Sequence, residues 1–241
     1  MFTNVKPTVR HIAPDDLNGR SLVKVVYVVL EPQYQSALSS AIRAINANNS
    51  EVAFEVSGYL IEELRSQENF EAFQQDISEA NIFIASLIFI EDLADKVVEA
   101  VKPHRDSLDA AVVFPSMPQV MRLNKMGSFS MAQLGQSKSV IGEFMKKRRQ
   151  KKGSGFEDAM LKLLRTLPNV LKYLPVEKAQ DARNFMLSFQ YWLGGSAENL
   201  ENFMLMLADR YVFTDKTIEG APQADSLEHA EPVTFPDVGI W

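Results

Sequence analysis

The chain has 241 residues, no cysteine and a net charge of −6, with an isoelectric point near 5.2. These facts exclude disulfides, thiolate metal sites and a cysteine nucleophile, and they suit a reducing compartment. An acidic molecule of this kind repels nucleic acid and anionic lipid except through a local basic patch. With 46% hydrophobic and 23% charged residues, the composition is that of an ordinary globular protein, long enough for one large domain or a domain with a smaller helical companion.

The first twenty residues, MFTNVKPTVRHIAPDDLNGR, contain no apolar core and carry Asp15 and Asp16. They read as an N-terminal arm, not as a secretory signal or an organelle transit peptide. Residues 22–30 (LVKVVYVVL) form a nearly continuous β-branched run, the pattern of a strand covered on both faces. A helix is expected over 33–48, where Leu38, Ala41, Ile42 and Ile45 share one face before an Asn-Asn stop. Further strands are expected over 51–57 (EVAFEVS), 81–89 and 109–114 (DAAVVF), with helices over 70–80 and 93–101 between them. The apolar run NIFIASLIFI, residues 81–90, is too short to span a bilayer. Strand-helix alternation with short connections predicts an α/β fold: a parallel, Rossmann-like or flavodoxin-like sheet of about four strands.

After Ser116 the character changes and helical periodicity takes over. Helices are expected over 140–149, 156–167, 179–193 and 197–212, the last with Leu200, Phe203, Met204, Leu207 and Tyr211 on one face. Gly194 and Gly195 separate the final pair, and Ser196 is placed to cap the last. Beyond Thr214 the chain is acidic and punctuated by Pro222, Pro232 and Pro236, as in an extended linker. The expected organisation is an arm (1–20), an α/β domain (21–136), a helical subdomain (137–213) and a linker (214–241) leading into a longer polypeptide.

Residues 126–139 (MGSFSMAQLGQSKS), followed by KKRRQKK at 146–152, invite a phosphate-binding reading. A P-loop needs Gly, four residues, then Gly-Lys-Ser or Gly-Lys-Thr after a strand. Here Gly127 plus five falls on Ala132, and Lys138 arrives two positions late after Gly135. The pattern fails, as does GSGFED at 153–158, which lacks the third glycine of a dinucleotide fingerprint. The basic run could meet nucleic acid or anionic headgroups. Set in an acidic chain without interleaved aromatics, it reads first as a solvated helix end, and as a functional feature it best suits a protein partner with an acidic face.

Ligands of doubly wound sheets sit beyond the carboxyl ends of the strands. The residues expected there are Glu31, Glu91 and Ser116, which are candidate ligand-facing groups, although helix-start and turn roles suit each of them as well. A carboxylate and Pro32 after the first strand do not make a flavin-phosphate loop. No catalytic residue is identified. Metal ligands are not assigned either: His11, His104 and His229 are far apart in sequence, and Glu91, Asp92 and Asp95 are accounted for as acids in a first helical turn. The aromatic and methionine residues of the helical half, Trp192 among them, could line an apolar cleft for a planar ligand; core packing explains them with fewer assumptions.

Three segments carry a resemblance. HIAPDDLNGRSLVKVVYVVLEPQYQSALSSA (11–41), VFPSMPQVMRLNKMGSFSMAQLGQSKS (113–139) and YWLGGSAENLENFMLMLADRYV (191–212) resemble the N-terminal region of the magnesium chelatase H subunit, in a form that looks cyanobacterial. The resemblance implies the large porphyrin-binding part of an ATP-dependent ligase that inserts Mg2+ into protoporphyrin IX for chlorophyll biosynthesis. It further implies AAA+ partner subunits that hydrolyse ATP, a porphyrin-carrying regulator, and the remainder of the large subunit. The compartment implied is the cyanobacterial cytosol, or the plastid stroma in plant relatives, with room for peripheral membrane contact. The cobaltochelatase large subunit is a related family. Because the family's porphyrin- and metal-touching residues lie mostly beyond a segment of this kind, none is carried over, and the segment alone is expected to be inactive. Two roles stay open: docking partners and gating a porphyrin cleft, or binding porphyrin directly.

Overall fold

The computed structural model describes residues 10–130 and 177–222. In chain order the elements are β1 (Arg10–Ile12), β2 (Ser21–Val29), α1 (Gln33–Asn48), β3 (Val52–Leu60), α2 (Gln67–Glu79), β4 (Ile82–Ser86), α3 (Glu91–Val101), β5 (Ala110–Val113), α4 (Pro118–Met121), β6 (Lys125–Met126), α5 (Glu177–Gly194) and α6 (Ala197–Leu207). Short 3-10 turns at Ile61–Arg65 and Lys102–His104 and a π turn at Ala208–Val212 complete the set. The expected helices over 140–149 and 156–167, the basic run at 146–152 and most of the 214–241 linker lie outside the described residues.

One six-stranded sheet carries the fold, in the order β1-β3-β2-β4-β5-β6. The four central strands are mutually parallel, whereas β1 and β6 run antiparallel at the edges. The sheet is therefore mixed, not the purely parallel four-strand sheet that the sequence predicts. The added strands are three and two residues long, too short to display a period-two pattern, and β1 falls within residues read as an arm.

Alternation in the strands divides the core in two. Val23, Val25, Tyr27 and Val29 of β2 point to one face with Ile82 and Ile84 of β4 and Val112 of β5, while Val26, Val28, Phe83, Ala85 and Val113 point to the other. On the first face lie α1, α5 and α6; on the second lie α2, α3 and α4. Because both faces are covered, β2, β4 and β5 read as nearly unbroken apolar runs. Residues of α5 and α6 share their core cluster with the sheet and α1.

Two local details fix the chain path. Tyr27 and Gly58 are paired across β2 and β3, and a Cβ at residue 58 would fall inside the Tyr27 ring, so glycine is needed for the ring to lie flat against the neighbouring strand. At the end of β4, Leu87 adopts φ 61°, an unusual conformation for a non-glycine residue. Its N–H donates to the Pro115 carbonyl at 3.0 Å. This turn ends the strand at Ser86, short of the 81–89 span expected from the apolar run.

Candidate functional site

The carboxyl ends of β2, β4 and β5 converge on Trp192 of α5. Ser86, the last residue of β4, accepts a hydrogen bond from Trp192 Nε1–H at 3.1 Å. The indole stacks on Tyr34 of the first turn of α1 with ring centroids 5.0 Å apart. Phe114, directly after β5, stacks on it as well, also at 5.0 Å. Phe203 of α6 closes the cluster edge-on at 6.3 Å. Trp192 is only 1% exposed. Aromatic pairs in these offset and edge arrangements add about 0.5–1.5 kcal/mol each beyond area burial. The point at which an open doubly wound sheet has its crevice is thus filled by the chain's own side chains.

Local sequence explains the placement. Ser196 Oγ accepts from the Asn199 N–H at 3.1 Å, capping α6 as its position predicts. Gly195, at φ 61°, gives α5 the left-handed exit that glycine favours. A second clamp fixes the other end of α5: Asp181 Oδ2 accepts from the backbone N–H of Ser128 at 2.7 Å and from its hydroxyl at 2.8 Å. Tyr211 OH donates to Asp181 Oδ1 at 3.1 Å. Gly127 lies at φ 55°, and a Cβ there would overlap the Asp181 carboxylate. The MGSFS portion of the 126–139 segment therefore ends β6 and turns to grip α5; residues 131–139 lie outside the described residues.

The four sequence candidates distribute unevenly over this edge. Ser116 is buried, and its Oγ accepts the Ile88 N–H at 3.1 Å, which steadies the turn after β4. Glu31 and Glu91 are exposed at the starts of α1 and α3. Glu31 lies close enough to the Tyr34 phenol to add to the upward pKa shift that burial gives it. Trp192 is buried in the aromatic stack beside Ser86.

Sequence reasoning missed Tyr34 and Phe114. Each has a positional signal, the first helical turn after one strand and the last residue of another, but nothing in periodicity pairs them with residue 192.

Electrostatically the edge is acidic. Its guanidinium, Arg65, is spent on Glu62 and Asp92, both at 2.6 Å, and Asp92 is held below the usual carboxylate range by that hydrogen bond. Lys96 donates to the Leu64 carbonyl at 2.8 Å and lies over the Phe70 ring. Asp95 accepts from Gln119 at 3.4 Å. Among the described residues, no group of three or more His, Cys, Asp or Glu is gathered to hold a metal ion. A closed aromatic floor with an acidic rim has the parts of a recognition surface.

At the opposite end of the sheet a groove of about 890 Å3 is lined by His11, Asp15, Asp16, Arg20, Arg43 and Asn49, among others. Arg20 is committed there to backbone carbonyls of Leu17, Asn46 and Asp16, at 3.0, 2.6 and 2.7 Å. Its work is to cap the carboxyl end of α1. No helix among the described residues is long and apolar enough to cross a membrane.

Comparison with known families decides the kinship. Residues 24–186 match the family described as domain of unknown function DUF3479. The chain belongs to the DUF3479 family. The DUF3479 chain is 54% identical, over 246 aligned positions covering 100% of its length, to the chloroplastic magnesium-chelatase subunit ChlH of Oryza sativa subsp. indica. It is 35% identical over 164 positions, 67% of its length, to the magnesium-chelatase H subunit of Rhodobacter capsulatus. With the magnesium-chelatase H subunit of Chlorobaculum parvum the identity is 27% over 229 positions, 90% of the chain. The DUF3479 chain spans 17%, 13% and 16% of the length of these three relatives.

Proposed function

We propose that the chain is a docking and gating domain of a magnesium chelatase large subunit, the component of an ATP-dependent complex that inserts Mg2+ into protoporphyrin IX. The observation that carries the assignment is the 54% identity along its whole length to a magnesium-chelatase subunit. The relatives are magnesium chelatases by name, which favours magnesium over the cobalt branch. In this reading ATP hydrolysis belongs to AAA+ partner subunits, a porphyrin carrier delivers substrate, and the chain works in a plastid or in cyanobacterial cytosol.

Docking and gating is favoured over direct porphyrin binding on physical grounds. The four parallel strands run β3-β2-β4-β5, as in a flavodoxin-like sheet whose ligands bind at the switch point between its first and third strands, here β2 and β4. That position is filled by Trp192, stacked on both Tyr34 and Phe114. A porphyrin seated over it would also bring its carboxylates against Glu31 and Glu91, at a like-charge cost. Complementation tests the assignment: a large subunit lacking the corresponding segment is supplied with this chain, fused or in trans, and magnesium-protoporphyrin formation is measured. Restored formation supports the chelatase reading; an assembled complex that stays inactive overturns it.

A further inference from the structure

Four large hydrophobic side chains among the described residues are exposed, and three of them belong to segments at the carboxyl edge of the sheet. Leu30, 36% exposed, directly follows β2; Phe89, 57% exposed, lies three residues past β4; Leu193, 48% exposed, is next to Trp192. Val29 and Ser86 are register partners on adjacent strands, and Trp192 hydrogen-bonds Ser86, so the segments that carry all three reach the same edge of the sheet. Folding would gain by covering such residues, and a cluster of them rimmed by polar groups marks an interaction surface. The floor is preorganised: the Trp192 stack is packed from both sides, and Leu87 holds its left-handed backbone beside it, which keeps the ordering cost of binding low.

The rim selects the occupant. Glu31 and Glu91 face outward without a hydrogen-bond or ion-pair partner among the described residues, and the nearby cations Arg65 and Lys96 are already engaged by Glu62, Asp92 and the Leu64 carbonyl. Anionic lipid and carboxylated ligands are repelled by such a rim, whereas lysine and arginine side chains complete it. We propose that the carboxyl edge of the sheet is a docking surface for a basic, apolar-tipped helical segment of a separate protein, with its apolar side chains over Leu30, Phe89 and Leu193 and its cations at Glu31 and Glu91. This rests on the docking role proposed for the chain and names the chemistry of its partner.

The test uses the 241-residue chain and a fluorescein-labelled synthetic helix of about 18 residues, roughly five turns, with leucine on one face and lysine on the other. Two control peptides replace lysine by glutamate or leucine by serine. Anisotropy is expected to show saturable, salt-weakened binding of the leucine-lysine peptide alone. Phe89→Ser and the pair Glu31→Lys with Glu91→Lys should each weaken it about tenfold or more, a change of about 1.4 kcal/mol. Glu99→Lys, on the same helix as Glu91 but at its other end, should leave binding unchanged, and thermal melts check that each variant is folded. Absence of saturable binding, equal binding of the glutamate peptide, or indifference to the rim variants overturns the proposal. Self-association through Phe89, seen by sedimentation and abolished in Phe89→Ser, overturns it in favour of a second copy as the occupant. The complementation experiment reports on chelatase membership independently, so failure of the peptide to bind leaves that result standing.

Discussion

At the scale of single residues, the most informative positions are those where chemistry and packing admit one answer. Trp192 combines a hydrogen bond to Ser86 with two stacked rings. Trp192→Phe, which keeps most of the packing but leaves Ser86 without its donor, should cost about 1 kcal/mol. Trp192→Ala should cost about 3–5 kcal/mol; urea midpoints measured with circular dichroism separate the two. Gly58 tests a different constraint. An alanine there must displace the Tyr27 ring, an overpacking expected to destabilise by about 1–3 kcal/mol, and a variant as stable as the parent would contradict the flat seating of Tyr27. Neither pairing was legible in the sequence. Tyr27 and Gly58 sit in an apolar strand and an alternating one, and only the parallel register brings them together. Ser116, by contrast, stands where the strand-end argument expected it, in the turn after β5, because Pro115 breaks that strand; β4 has no such breaker and ends at Ser86, so Glu91 opens α3 five residues later.

At the scale of elements, α1 was legible to the residue: its amphipathic stripe and the Asn-Asn stop coincide with Gln33–Asn48. The 179–193 helix was legible too, and the structure extends it to Glu177–Gly194. What the sequence did not disclose was how α5 is attached. Its clamp joins Asp181 to Ser128 and Tyr211, residues 53 and 30 positions away, and long-range hydrogen bonds leave no periodicity. Gly127→Ala, which crowds the Asp181 carboxylate at a positive φ, should loosen α5 selectively. Amide hydrogen exchange is the appropriate measurement, since local openings below the global stability are visible to it. The amides of α5 should lose protection about tenfold or more while those of β2 and β4 keep theirs; uniform loss would mean that the clamp is integral to the whole fold. The edge strands β1 and β6 escaped the sequence for a related reason, their pairing partners being set by chain path and not by pattern.

For the molecule as a whole, buried tyrosines couple stability to alkaline pH. Burial raises the phenols of Tyr59 and Tyr211, and each carries a hydrogen bond to a carboxylate, Asp76 and Asp181 respectively, that favours the protonated form. Burial also pushes Tyr191 up to about 12. A folded-state pKa above the unfolded value of about 10 means that the native state alone keeps its proton once the pH passes that value. Stability should therefore be unaffected by these groups below about pH 10 and fall as pH rises beyond it. Tyrosinate absorbance should accordingly show one fraction of the tyrosines titrating freely and a second appearing only with the loss of ellipticity. The six-stranded sheet, its two covered faces and the shared core of α1, α5 and α6 place the strand ends on one side, where an aromatic floor, exposed apolar residues and acids make a surface suited to a basic partner. The whole-chain identity to magnesium-chelatase subunits gives that surface its proposed setting. The measurement closest to the central claim uses Trp192 as reporter in a Trp241→Phe background, titrated with a water-soluble protoporphyrin analogue. A docking domain whose switch point is filled predicts no saturable quenching beyond the inner-filter effect. Saturable quenching of Trp192 would contradict the account and make this domain a porphyrin site in its own right.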